Sequence, residues 1–211
     1  MTPYTRTVVQ PTAEPLSLDE VKLHLRVDGT DEDAWIEPQI TAARQAAENF
    51  CNRYIAEQGV EARWASWPCY WWGHYGGYIN AQMVLPGSDP ARDVIVKYVD
   101  VDGVEQTLAE TVYSVNQFRA PGEVGLAYNQ SWPPARNEQG AIRVTYTAGY
   151  NIPGTSPAGE YPLPAAIRAA MLLLIGNWYE NREAVVVGAT VAELPLGVQS
   201  LLQPYRLSLG V

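Results

Sequence analysis

Residues 15–36, PLSLDEVKLHLRVDGTDEDAWI, contain two helix starts and the helix end between them, and the fold class follows from what surrounds them. Ser17 stands three residues before Glu20, the spacing of an N-terminal capping box. Leu18, Val21 and Leu25 fall on one helical face. Asp28-Gly29 is expected to end this helix, since glycine adopts the left-handed conformation of a helix terminus. Thr30 or Asp31 is expected to cap a second helix. Glu32 and Asp33 put negative charge at its positive end.

The second helix continues outward from this stretch. Ile36, Ile40, Ala43, Ala47, Phe50 and Tyr54 recur at steps of four and three residues, which predicts an amphipathic helix reaching Ile55. Pro38 removes one backbone hydrogen bond and is expected to kink its first turns. In the other direction, residues 1–16 carry three prolines and no period. They read as an extended arm, disordered or laid on a neighbouring molecule.

From Val60 to Tyr150 the period becomes two. Val94, Val96 and Tyr98 alternate, DVDG makes a turn, and VEQTL returns as a hairpin. VYSV and EVGLAY read as shorter strands, and Ile142, Val144 and Tyr146 alternate in a late one. NIPGTSPAGEYPLP is a loop by composition. Pro164 suits the first turn of the next helix, AAIRAAMLLLIGNWYENRE, which is apolar around much of its circumference. AVVVGATVAE follows without a strand partner in sequence. Pro195 opens a short last helix with Leu196, Val198, Leu201 and Leu202, and Pro204 stops it. The reading is α+β: a helical bundle formed by the N- and C-terminal helices, with an inserted antiparallel β subdomain. Residues 1–16 are the arm and 17–211 a single domain. Its helices span 17–56, its β insertion 60–150, and its closing helices 164–182 and 195–203.

Composition narrows the function. Acids outnumber bases 23 to 14, for a formal net charge of −9, and no basic run occurs. A protein that neutralises phosphates needs the opposite balance, so specific nucleic-acid binding and attachment to an acidic membrane surface are disfavoured. The longest apolar run, AAMLLLI, is far short of the ~20 residues of a membrane span. The start has no apolar signal core, so the protein is expected to be soluble and made in the cytoplasm. Two cysteines, Cys51 and Cys69, are too few for a disulfide framework.

No constellation for catalysis or metal binding emerges. His24 and His74 are the only histidines, and neither HExxH nor CxxC spacing occurs. Asp100 to Gly103 resembles the opening of a calcium loop, but Val104 follows and the late bidentate glutamate is missing, so a hairpin turn explains it. Asp31, Glu32 and Asp33 are accounted for by the helix dipole. The expectation is a protein with no catalytic residues, metal or cofactor.

One stretch is unusual. Trp64, Trp67, Trp71 and Trp72, four of the chain's seven tryptophans, lie beside Tyr70, Tyr75 and Tyr78. Three readings stand: a β core, a loop that docks on a partner through Trp67, Tyr70, Trp71, Trp72, Tyr75 and Tyr78, or a flat platform for a carbohydrate or other ligand over 64–78.

Taken in order, several segments resemble the head–tail connector (adaptor) proteins of long-tailed bacteriophages. SLDEVKLHLRVDGTDEDAWI resembles their opening helix pair, and ARQAAENFCNRYI their second helix. VLPGSDPARDVIVKYVDVDGVEQTL and YSV resemble their first β segments, and WPPARNEQGAIRVTYTAGY their last strand. LPAAIRAAMLLLIGNWYENRE and LPLGVQSLLQPYR resemble their closing helices. Pro38 and the aromatic stretch at Tyr70 to Tyr78 depart from the pattern.

The resemblance implies a structural subunit rather than an enzyme. It would form a homo-oligomeric, twelve-fold ring beneath the portal protein, at the head–tail junction of a virion made in a bacterial cytoplasm. A tail-side connector, stopper or tail-terminator would sit below. DNA would pass through without specific binding, and no membrane would be involved. A ring needs two different complementary surfaces on each subunit. The candidates are the aromatic loop and the terminal segment, with Leu201, Leu202, Pro204, Tyr205, Arg206 and Leu207 set against the portal or a neighbouring subunit. Deletion after Pro204 is expected to block assembly and leave the monomer folded.

Overall fold

Ser17 caps the first helix as its spacing predicts, its hydroxyl accepting the N–H of Glu20 at 3.2 Å. The computed structural model that reveals this describes residues 3–68, 71–72, 78–79, 82–89, 91–152, 161–182 and 194–207, with 71–72 and 78–79 as backbone only. The chain divides into two units. One comprises Thr12–Glu57 with Tyr150–Val211, the other Met1–Pro11 with Gln58–Gly149. The architecture is α+β, helices from both ends of the chain and antiparallel sheets from its middle.

In the helical unit, α1 is Leu18–Leu25. It ends earlier than the Asp28-Gly29 signal suggested. Arg26 itself takes the left-handed conformation (φ 57°), and the N–H groups of Arg26 and Val27 donate to the carbonyls of Leu23 and Lys22. Gly29 (φ 82°) shapes the turn that follows. α2, Asp33–Cys51, runs on across Pro38. It stops short of Ile55 because Asn52 turns left-handed (φ 53°), a conformation asparagine tolerates better than most residues. Glu48 then fastens the chain beyond the cap, its Oε1 accepting the N–H of Ile55 at 2.8 Å and of Ala56 at 3.3 Å.

α3 is Ala165–Glu180, with Pro164 as its extended N-cap, and α4 is Leu196–Leu202, followed by a 3-10 turn at Gln203–Tyr205. The predicted stripes meet in one core. Val21 of α1, Ile36, Ile40, Ala43 and Ala47 of α2, Ile167, Met171 and Leu174 of α3, and Val198 and Leu202 of α4 are all buried there. Leu173 faces outward, so α3 keeps one open side. No described helix is long and apolar enough to cross a membrane.

The β unit holds β1 (Tyr4–Val9), β2 (Gln58–Trp64), β3 (Trp71–Trp72), β4 (Tyr78–Ile79), β5 (Met83–Val84), β6 (Arg92–Val99), β7 (Glu105–Thr107), β8 (Tyr113–Asn116), β9 (Glu123–Leu126) and β10 (Ile142–Ala148). A five-stranded antiparallel sheet has the order β1-β2-β10-β6-β7. Three more strands pair as β5-β9-β8, and β3 pairs with β4. The hairpin predicted at DVDG joins β6 to β7. Asp100 Oδ1 accepts the N–H groups of Asp102 and Val104, the local bonding that suits Asp to tight turns.

The first residues correct the expectation of an arm that is disordered or laid on a neighbour. Tyr4–Val9 is an edge strand on this chain's own β2, with Thr7 opposite Val60 and Arg6 opposite Glu61. Thr5, Thr7, Val8 and Val9 have the β-branched side chains that suit a pleated edge. Strand alternation was hidden because an edge strand is exposed almost throughout. Leu16, further along, is buried in the helical core.

Candidate interaction surfaces

The terminal segment is built into its own helical unit before it can offer anything to a partner. Leu202 and Leu207 are buried, Leu201 and Tyr205 half-buried, and Pro204 and Arg206 exposed. The Leu207 N–H donates to the Cys51 carbonyl at 2.7 Å, and Asn52 Nδ2 donates to the Leu207 carbonyl at 3.3 Å. The Arg206 guanidinium lies 5.5 Å from the centre of the Phe50 ring. A deletion after Pro204 would therefore strip a buried leucine and two hydrogen bonds from the core. It would not spare the monomer as the sequence suggested.

Within the aromatic stretch, Trp64 is buried in the β unit. The Trp67 ring stacks on Trp132 with centroids 4.5 Å apart and planes 5° apart, and its indole N–H donates to the Pro133 carbonyl at 2.8 Å. One face of Trp67 is thus taken by its own chain, and the Tyr98 ring lies at a tilt 5.6 Å from it. Trp71, Trp72 and Tyr78 sit on the β3–β4 pair, where only the backbone is described. Tyr70, Tyr75, Cys69, His74, the AVVVGATVAE segment and most of NIPGTSPAGEYPLP lie outside the described residues.

Sequence reasoning passed over a third surface. In the five-stranded sheet, directly opposed residues point to the same side. Ala62, Val144 and Val96 oppose one another across three strands and form the buried side. The other side carries Tyr4, Arg6 and Val9 of β1, Glu61 and Arg63 of β2, Arg143 and Thr145 of β10, Ile95 and Lys97 of β6, and Glu105 of β7. Two carboxylates serve four cations there. Glu61 Oε1 accepts from Arg6 Nε at 3.0 Å and Arg63 Nε at 2.7 Å. Glu105 accepts from Lys97 Nζ at 3.1 Å and Arg143 Nη1 at 2.6 Å. Burial pushes the Glu61 carboxyl up, but the hydrogen bond from Arg63 and the charges of Arg63 and Arg6 outweigh it and hold the group below its ordinary value. The hydrogen bond and charge of Lys97, joined by Arg143, do the same for Glu105. The signal for this side was present in the alternation of Arg143, Thr145 and Thr147 with Ile142, Val144 and Tyr146.

Among the described residues, no group of three or more His, Cys, Asp and Glu could hold a metal ion. Cys51 is buried at the end of α2, and burial pushes its thiol up to about 11 despite the nearby charges of Arg53 and Arg206. His24 is exposed on α1.

The helical unit and the two central strands β2 and β10 are the parts that match a family model, that of the phage gp6-like head-tail connector proteins, over residues 15–68 and 141–206. The chain belongs to this family. It is a structural head–tail connector protein. The connector fold is also found in solved particles. A chain in the neck of the empty GTA particle, computed with C6 symmetry, is 22% identical with a TM-score of 0.72, and the match covers 99% of this chain and 98% of that one. A chain in the virion of the native gene transfer agent is 23% identical with a TM-score of 0.70, covering 98% of each chain. A third, in the native GTA neck computed with C12 symmetry, is 23% identical with a TM-score of 0.65, covering 100% of this chain and 99% of that one. No curated protein matches the connector.

Proposed function

We propose that the chain is one subunit of a twelve-fold ring at the head–tail junction of a phage or phage-like particle. The ring sits beneath the portal protein, offers a platform to a tail-side connector, stopper or tail-terminator, and lets DNA pass. The observation that carries this reading is the family match over both ends of the chain, with a likeness spanning nearly the whole length of chains in GTA necks computed with C6 and C12 symmetry. A net charge of −9 suits a wall past which DNA slides without sticking. The role is assembly rather than catalysis.

The portal or a neighbouring subunit is met by Pro204 and Arg206, with the partly covered Leu201 and Tyr205 beside them. Leu202 and Leu207 act from beneath by holding that segment on the helical core. The β3–β4 aromatic segment supplies a second contact. Electron cryomicroscopy of the purified chain mixed with the portal protein of the same particle tests the reading. A ring stacked on the portal is the expected result. A monodisperse monomer that leaves the portal bare would overturn it.

A further inference from the structure

The outward side of the five-stranded sheet has the make-up of a docking surface. Tyr4, Val9 and Ile95 are 75%, 58% and 46% exposed there, around cations that outnumber the local carboxylates. Tyrosine and arginine are enriched where proteins meet. The cations belong to an acidic chain, and the acidity is unevenly spread. The helical unit holds fourteen Asp and Glu against seven Lys and Arg, whereas the β unit holds nine against seven. The densest acidic stretch is residues 28–37, with five carboxylates and no base. Lys22 engages Asp33 at 2.6 Å and Arg182 engages Glu32 at 2.8 Å, while Asp28, Asp31 and Glu37 are exposed.

We propose that the outward side of this sheet receives the acidic α1–α2 turn of a second copy of the chain, so that the two form the repeating contact of the ring. The inference rests on the connector reading. A ring contact is heterologous and joins two different surfaces of one sequence. The four cations and two carboxylates on the sheet face of one copy, and the acidic turn of the next, supply such a pair. The charge balance favours this occupant over DNA, because a chain at −9 repels a polyanion as a whole while a local basic face still attracts a local acidic turn. Ile95 and Tyr4 give the contact an apolar centre and edge that phosphates would not use.

The test uses the full chain and the portal of its particle, with ring formation read by mass photometry and electron microscopy. Wild type is expected to form rings. Lys97→Glu with Arg143→Glu is expected to raise the protein concentration needed for rings by about tenfold or more, from like-charge juxtaposition. Adding Asp28→Lys and Asp31→Lys to the same chain restores them. Because the first pair also disturbs Glu105, Ile95→Glu serves as a second variant. It removes no ion pair and is expected to impair rings with an unchanged melting temperature. Wild-type ring formation by both variants overturns the inference and leaves the connector reading intact. So does a loss of DNA retention with rings preserved, which would make the surface a DNA contact. Failure of wild type to form any ring would instead defeat the connector reading itself.

Discussion

Glu20 of α1 and Arg168 of α3, 148 residues apart in sequence, form a two-pronged ion pair. Arg168 Nε donates to Glu20 Oε1 at 2.6 Å, and Nη2 donates to Oε2. Glu20 sits where a capping box would return its carboxylate to Ser17, and the fold uses it instead to join the two ends of the chain. The pairing raises the guanidinium pKa of Arg168. Both side chains are partly exposed, so the pair is worth little in isolation. Arg168→Ala is expected to lower stability by about 1 kcal/mol or less, and a double-mutant cycle with Glu20→Ala by urea unfolding should give a coupling of the same small size.

Gly59 lets β1 lie close to β2. A Cβ at this position would meet the Cβ and Cγ2 of Val9 at 2.9 Å, and neither atom is the end of a flexible side chain. Gly59→Ala should push the first strand off the sheet edge at a cost of about 1–3 kcal/mol, the usual range for overpacking. Limited trypsin digestion reads this directly, since the bond after Arg6 is in a paired strand in wild type and should be cut sooner in the variant.

Cys51 is expected to be inert to thiol reagents in the folded protein. Its thiol is pushed up to about 11 by burial, and its Sγ lies 3.7 Å from the Leu202 carbonyl. The thiolate, which is the reactive form, is scarce at neutral pH. In a Cys69→Ser protein, Ellman's reagent at pH 8 should detect no thiol until denaturant is added. Prompt labelling without denaturant would contradict the packing of α4 on α2.

Two glutamates should pull the pH dependence in opposite directions. Burial raises the Glu48 carboxyl despite the N–H of Ile55 and the charge of Arg44, so the native state holds its proton to a higher pH than the unfolded chain. Between the ordinary glutamate value and the raised one, this group makes stability fall as pH rises. Glu61 is held low by Arg63 and Arg6, so its contribution is present above the ordinary value and is lost as pH falls through the lowered one. Urea unfolding between pH 3 and pH 7 is the measurement. The stability lost in Glu61→Gln at neutral pH should shrink toward acid, and Glu48→Gln should lack the decline with rising pH.

The sequence alone determined the helices and the hairpin, because each depends on residues close together in the chain. Ser17 caps α1, the steps from Ile36 to Ala47 bury one face of α2, and Asp100 closes the β6–β7 turn. It also carried enough ordered segments for the family to be legible. Only tertiary structure decided the rest. Tyr4–Val9 became a strand because β2 had an edge to pair, a fact no local pattern holds. The terminal leucines divided into buried Leu202 and Leu207 and a half-covered Leu201 because α4 packs on the end of α2, more than 140 residues away in sequence. Arg6, Arg63, Arg143 and Lys97 lie far apart in the chain, and strand pairing alone gathers them on one side of a sheet. Charges 30 to 140 residues apart in sequence share a surface only after register sets which side each one faces.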